Sequence, residues 1–127
     1  MNERRLRVLV ADDSESIRRL FEAAGSKLNV DVTCVQDKDE ALRMLKQTPH
    51  WYNAVIIDYR SKLGEVNGTQ FHAAAKFLLR EFSIRLTIFT GGADGKDLAT
   101  LLQKGVLVLS KAEFTPHTAL EMTIVGL

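Results

Sequence analysis

The feature that most constrains this chain is a pair of short apolar runs that each end in carboxylate. Residues 8–11 lead directly into Asp12 and Asp13, and residues 54–57 lead into Asp58. An apolar run of this length, bounded by polar residues, is typical of a strand in a parallel sheet that helices cover on both faces. Ligands bind at the carboxyl ends of such strands. The three carboxylates are therefore predicted to lie at a ligand-binding edge.

Two later apolar runs end in other polar groups. Residues 86–89 lead into Thr90 and residues 106–110 lead into Lys111, while a further strand is predicted at residues 30–35. Helical patterns separate these strands along the whole chain. The alternation predicts an α/β fold with a single, doubly wound, five-stranded parallel sheet. Three carboxylates, a hydroxyl and an ammonium group would then meet at one edge.

Residues that cap helices precede the helical patterns. Ser14, Asp37 and Asp94 each stand before a predicted helix, and Thr115 followed by Pro116 is typical of a cap and a first-turn proline. The apolar face predicted for the first helix consists of Ile17, Leu20, Phe21, Ala24 and Leu28. The caps and the spacing together predict where each helix begins and which side it buries.

The converging carboxylates predict a cation site. Three carboxylates at one rim repel one another, and a hard divalent cation with oxygen ligands relieves that repulsion. Mg²⁺ is the natural candidate, because it accepts one or two protein carboxylates and completes its octahedron with water and phosphate oxygens.

Five polar residues at the strand ends resemble, in this order, the site residues of the receiver domain of two-component response regulators. They are Asp12, Asp13, Asp58, Thr90 and Lys111. The likeness runs from about Arg7 to Phe114, and residues 12–20 also resemble the opening of that family. With right-handed crossovers, the resemblance implies a flavodoxin-like sheet with strand order 2-1-3-4-5. It places the site between the first and third strands. The whole chain, residues 1–127, is then expected to be a single receiver domain.

The resemblance also assigns roles to individual residues. Asp58 would be the phosphoacceptor, Lys111 would neutralise charge, and Thr90 would donate a hydrogen bond to the bound phosphoryl group. Mg²⁺ would be held by Asp12, Asp13, Asp58 and the backbone carbonyl of Arg60. The expected partner is a sensor histidine kinase or a phosphotransfer protein. Such a protein would be mainly a signalling domain that catalyses its own aspartyl phosphorylation and dephosphorylation.

Several positions depart from the family's pattern. Ala112 stands where a proline usually follows the lysine, and Val108 stands where an aromatic residue is common. The segment between Asp58 and Gly68 is longer than usual. We expect a trans bond between Lys111 and Ala112, since a non-proline cis bond costs about 2.5–4 kcal/mol. These departures keep open an alternative, a binding module with the receiver fold that works without phosphorylation.

Other enzyme classes fit the sequence less well. An aspartyl phosphatase or phosphotransferase would show an Asp-x-Asp-x-Thr pattern after its first strand, where this chain has Asp12-Asp13-Ser14. A nucleotide or flavin binder would show a glycine-rich phosphate loop at that position.

Composition limits the remaining possibilities. The 127 residues suffice for one domain with a proper core. With 17 basic and 16 acidic side chains, the net charge of +1 supplies no field for direct nucleic-acid binding. No apolar run is long enough to span a membrane or to form a signal peptide. Cys34 is expected to be a small buried residue, which suits a reducing, cytoplasmic location.

Two further features predict contacts or motion. The last helical segment carries apolar residues around more than one face, so we expect its surplus to meet a second copy of the chain or an output domain. Glycine-rich residues 91–95 directly follow Thr90, whereas Val108 is too small and stiff to swing. Phosphorylation is therefore predicted to be read out mainly through residues 90–98.

Overall fold

The structure is a computed structural model that describes residues 5–60, 64–92 and 95–127. Five parallel strands form one sheet in the order β2-β1-β3-β4-β5, and helices connect them. The strands are β1 (Arg7–Ala11), β2 (Asp31–Val35), β3 (Ala54–Ile57), β4 (Arg85–Thr90) and β5 (Leu107–Ser110). The helices are α1 (Glu15–Leu28), α2 (Lys38–Gln47), α3 (Gly68–Glu81), α4 (Gly95–Gln103) and α5 (Pro116–Ile124), with a 3₁₀ turn at Pro49–Trp51. The predicted fold class and strand order are confirmed.

Strand register brings the acidic residues together. β1 and β3 are neighbours in the centre of the sheet, and their last paired residues are Ala11 and Ile57. Asp12 and Asp58 are the next residue on each strand, so both leave the sheet at the same level. The chain leaves β1 towards β2 on one side of the sheet and leaves β3 towards β4 on the other. This reversal opens the crevice where ligands bind in such folds.

Two layers of helices cover the sheet. Helices α1 and α5 pack on one face, where Phe21 and Phe89 meet edge to face with ring centroids 5.6 Å apart. Helices α2, α3 and α4 pack on the other face around residues such as Phe71 and Leu101. Strand residues alternate between the two cores, and β3 is fully buried. A central strand that is apolar on both sides leaves only its carboxyl end for polar chemistry.

The predicted caps hold the helix starts in place. The Ser14 side chain accepts a hydrogen bond from the Ile17 amide at 3.3 Å, and the Asp37 carboxylate accepts one from the Glu40 amide at 2.8 Å. Thr115 caps α5, and Pro116 is its first residue, as predicted. The Asp94 cap lies outside the described residues.

The structure corrects some sequence-based details. β2 and β5 each begin one residue later than predicted, because the amides of Val30 and Val106 bond to the carbonyls of Gly25 and Leu101 and close the preceding helices. Leu20, assigned to the buried face of α1, is 52% exposed. It lies at the rim of that face, in a groove beside the start of α5.

The structure also tests two expectations about burial, one for Cys34 and one for the last helical segment. Cys34 is only partly buried, because β2 is an edge strand and its pattern lacks a fully buried position. Met122 and Val125 are exposed, at 36% and 67%, so the apolar surplus of the last helical segment does lie at the surface. No helix within the described ranges has the length and apolar character needed to cross a membrane.

Candidate active site at the carboxyl edge of the sheet

The three predicted acidic residues form a cluster. Ligand oxygens of Asp12, Asp13 and Asp58 all lie within 4.8 Å of one another. Asp12 is buried, Asp58 is partly exposed and Asp13 is exposed, so the cluster opens from the sheet towards solvent. Carboxylates at this separation repel one another strongly unless a cation lies among them.

Lys111 supplies a cation to this cluster. Its ammonium donates to Asp12 Oδ2 at 2.8 Å and to Asp58 Oδ2 at 3.0 Å, although it follows the edge strand β5. The backbone helps to aim it, because the Lys111 amide bonds to the Thr90 carbonyl at 2.9 Å. The Lys111–Ala112 bond is trans, as predicted. The side chain thus reaches the acidic site without the family's proline.

Burial and hydrogen bonding shift the pKa of Lys111 in opposite directions. Desolvation of the ammonium is the largest single influence and lowers its pKa. The hydrogen bonds and charges of Asp12 and Asp58 together outweigh it, so the pKa of Lys111 is raised above its ordinary value. The group therefore stays positively charged at neutral pH, between the two carboxylates.

Local hydrogen bonds fix the Asp12 side chain. Its Oδ1 accepts from the Ser14 amide at 2.9 Å, leaving Oδ2 for Lys111. The Asp12 backbone carbonyl accepts from the Arg18 guanidinium at 2.8 Å, which ties the same turn to α1. Asp12 is therefore held by four elements of the local structure: β1, the Ser14 turn, α1 and Lys111.

Lys38 is a site residue that the sequence analysis missed. Its side chain is only 3% exposed, and its ammonium donates to the Arg60 carbonyl at 2.6 Å. It also pairs with Glu65 Oε1 at 3.3 Å, and Glu65 Oε2 accepts from the Lys38 amide at 2.7 Å. One signal was present in the sequence, since a lysine at the first position of a helix opposes the helix dipole.

The Arg60 carbonyl is therefore placed beside the acidic cluster, but it already accepts a hydrogen bond. A cavity of about 10 Å³ lies between Asp12, Asp13, Asp58, Arg60, Lys38 and Glu65. That volume is on the order of one water molecule or one small ion. The carboxylate oxygens fit Mg²⁺, which prefers hard oxygen ligands. The fourth ligand that the resemblance implies is shared with an ammonium group.

Thr90 lies at the same edge but is engaged with the following loop. Its buried hydroxyl donates to the Gly92 carbonyl at 3.1 Å, and Gly92 also accepts from Arg60 Nε at 2.9 Å. The structure thus joins Asp12, Asp13, Asp58 and Lys111 directly, while Thr90 and Arg60 meet through Gly92. Residues 93 and 94 of the predicted glycine-rich loop lie outside the described ranges.

Comparison with known proteins bears on the fold. No family model matches the sequence, and no curated protein matches it. Among solved structures, the signal receiver domain of a Vibrio parahaemolyticus protein described as a LuxO repressor has a TM-score of 0.78 at 19% identity, covering 95% of this chain and 88% of that one. Chemotaxis response regulator CheY4 of Vibrio cholerae has a TM-score of 0.76 at 21% identity, covering 94% and 96%.

A third structure leads to the same fold. The receiver domain of Francisella response regulator 1452 has a TM-score of 0.75 at 21% identity and covers 94% of each chain. These three domains match this chain over nearly its whole length. The acidic site depends on the strand order β2-β1-β3-β4-β5 of this chain. The chain therefore has the fold of response regulator receiver domains.

Proposed function

We propose that this domain is a phosphorylatable signalling receiver whose phosphoacceptor is Asp58. The single observation that carries the proposal is the position of the Lys111 ammonium, 3.0 Å from Asp58 Oδ2 and 2.8 Å from Asp12 Oδ2. Phosphoryl transfer requires mainly position and stabilisation of charge on the equatorial oxygens. An anchored cation beside an accessible carboxylate meets that requirement.

In the proposed reaction, an Asp58 carboxylate oxygen attacks the phosphorus of a phosphohistidine on a partner protein. A P–O bond forms as the P–N bond breaks, and the electron pair of the P–N bond stays with the departing imidazole nitrogen. The product on this domain is an acyl phosphate at Asp58. Lys111 offsets the charge gathered by the phosphoryl oxygens.

Asp12, Asp13 and Asp58 would hold the Mg²⁺ ion that the receiver fold implies. The bound ion would supply charge neutralisation for the phosphoryl oxygens. Asp12 would keep its place because the Ser14 amide and Lys111 both hold it. Asp13, as the exposed member of the cluster, would contact the ion from the solvent side.

Thr90 would act after transfer. Its hydroxyl donates to the Gly92 carbonyl at 3.1 Å. A phosphoryl oxygen on Asp58 would be a stronger, charged acceptor for the same proton. Moving that hydrogen bond would leave Arg60 as the donor to the Gly92 carbonyl and would change the loop that leads into α4. The partner is accordingly a sensor histidine kinase or a phosphotransfer protein upstream, with a binding partner downstream that distinguishes the two loop arrangements.

The test is phosphorylation by a small acyl phosphate with Mg²⁺, followed by intact-protein mass spectrometry. The parent should gain one phosphoryl group, and Asp58→Asn should gain none. Asp39→Asn is the matched control, because Asp39 is an exposed aspartate on α2, and it should label like the parent. Stoichiometric labelling that persists in Asp58→Asn would remove the assignment.

A second candidate is a binding module of the same fold that works without phosphorylation. The observation favouring it is the 2.6 Å hydrogen bond from Lys38 to the Arg60 carbonyl, which engages a group that the metal would use. The same experiment separates the candidates, since this module would remain unlabelled at any Mg²⁺ concentration. A binding module would also keep its partner affinity in Asp58→Asn.

A further inference from the structure

Lys38 is a charged group in an unusual place. The residue is 2% exposed, and it begins α2, where the unpaired amides of the first turn already carry partial positive charge. A buried ammonium costs free energy unless it is paired and hydrogen-bonded. Glu65 and the Arg60 carbonyl provide that pairing. The lysine is therefore held in one position by partners on the segment between β3 and α3.

That position coincides with one side of the cation site. The cavity beside the acidic cluster is lined by Lys38 and Glu65 as well as by the three aspartates. The Arg60 carbonyl oxygen accepts a hydrogen bond from the Lys38 ammonium at 2.6 Å. One lone pair of this oxygen is therefore already used by a cationic group of the protein itself. An ion entering the cavity would meet both a shared ligand and a like charge.

We propose that Lys38 is a built-in competitor of the divalent cation, so that this site binds Mg²⁺ more weakly than its three carboxylates alone would. The inference rests on the proposed function, because it concerns the metal of the same site. Lys38 sets the Mg²⁺ concentration at which the domain becomes competent. Loading the site moves the ammonium away from the Arg60 carbonyl and leaves Glu65 as its remaining partner.

Glu65 makes this displacement possible. Its carboxylate contacts both the Lys38 ammonium and the Lys38 amide, so the lysine stays paired after leaving the carbonyl. A purely structural lysine would stabilise the fold without altering metal affinity. The proposal therefore needs a measurement of Mg²⁺ binding itself, in addition to one of stability.

The experiment is a calorimetric titration with Mg²⁺ alone, without phosphodonor. Lys38→Met should bind Mg²⁺ at least about tenfold more tightly, because removing a unit charge a few ångströms from a divalent ion is worth on the order of tenfold in affinity even at the dielectric constant of water. Lys46→Met is the control, because Lys46 is an exposed lysine in the last turn of the same helix. Solvent screens the charge of Lys46, so the Lys46→Met variant should bind Mg²⁺ with the affinity of the parent.

A second pair of variants covers the case in which Lys38→Met removes the ammonium that Glu65 contacts and the variant does not fold. The double variant Lys38→Met/Glu65→Gln removes both charges and should bind Mg²⁺ more tightly than Glu65→Gln alone. Equal or weaker binding in this comparison would overturn the proposal. Tighter binding seen only in the single Lys38→Met variant would assign the effect to the Glu65 carboxylate acting as a ligand, and it would overturn the proposal as well.

The parent protein provides an independent measurement. During a Mg²⁺ titration, the Arg60 carbonyl ¹³C signal and the Lys38 ¹⁵Nζ signal should shift with the same binding curve. A Lys38 signal that stays constant while the aspartates respond would contradict the displacement. Because no phosphodonor is used, failure here leaves labelling at Asp58 unaffected. Conversely, absence of labelling with these Mg²⁺ results intact would reject only the proposed function.

Discussion

Replacing Lys111 by methionine is the sharpest test of how the acidic edge is stabilised. The substitution keeps most of the side-chain volume but removes the ammonium that bridges Asp12 and Asp58. Asp12 then has a side chain that is 3% exposed and has lost the ammonium beside its Oδ2. The three clustered carboxylates also repel one another without the charge that lay between two of them.

The magnitude follows from how deeply each group is buried. Removing one partner of a fully buried ion pair costs about 3–5 kcal/mol. Here Lys111 is 21% exposed and Asp58 is 17% exposed, so water compensates part of the loss. We therefore expect Lys111→Met to lower the free energy of unfolding by about 2–3 kcal/mol in Mg²⁺-free buffer at neutral pH.

Urea denaturation measures this loss. If the slope of the unfolding free energy against urea concentration equals that of the parent, the fold is intact. Mg²⁺ should restore part of it and stabilise the variant more than the parent, because the ion replaces the missing charge. Lys104→Met, which removes an exposed lysine after α4, is the control and should unfold like the parent. Equal stability of Lys111→Met and parent in Mg²⁺-free buffer would refute the reasoning.

The pH dependence of the same pair has a definite sign. The folded pKa of Lys111 is raised, so its stabilising contribution is fully present below the unfolded pKa of about 10.4 and is lost as pH rises through the folded pKa. The difference in stability between parent and Lys111→Met should therefore stay level from neutral pH to about pH 9.5 and narrow above that. A difference that disappears between pH 7 and pH 9 would contradict the assignment.

Three further predictions concern other parts of the molecule. Glutamate at Met122 and Val125 should abolish self-association of the parent measured by light scattering, and a parent that stays monomeric at high concentration would leave no role for a second copy on this surface. Burial raises the pKa of the Cys34 thiol to about 12, so alkylation at pH 8 should be far slower than in the unfolded chain, whereas equal rates would show an accessible thiolate. On adding a phosphoryl mimic, amide shifts outside the immediate site should be largest in residues 90–98, and shifts centred on Val108 and α5 with that segment silent would show the readout to be elsewhere.

The fold was predictable because its signals are local. Apolar runs of four residues predicted β1 and β3, and cap residues such as Ser14 and Thr115 predicted helix starts within one residue. The meeting of Asp12 and Asp58 followed from topology, since adjacent parallel strands must end at one edge. Leu20 was misassigned because spacing predicts only a broad face, and the packing of α5 decides where that face ends.

Lys38 could not be predicted in the same way, because its role depends on a distant segment. Its partners Arg60 and Glu65 lie 22 and 27 residues further along the chain. Which way the Arg60 carbonyl points depends on the path from β3 to α3, and sequence spacing carries no information on that path. The dipole argument marks Lys38 as unusual, but only the folded structure shows which acceptor stabilises it.

Arg60 connects the two parts of the site that sequence analysis treated separately. Its backbone carbonyl accepts from Lys38 on the metal side, and its guanidinium donates to the Gly92 carbonyl that Thr90 also uses. A change that moves the Arg60 backbone therefore alters both the cation site and the hydrogen bonds that hold the loop after β4. The proposed movements of Lys38 on cation binding and of Thr90 on phosphorylation would both act on this one residue. We therefore expect the two events to be coupled through these contiguous hydrogen bonds, without an aromatic side chain at Val108.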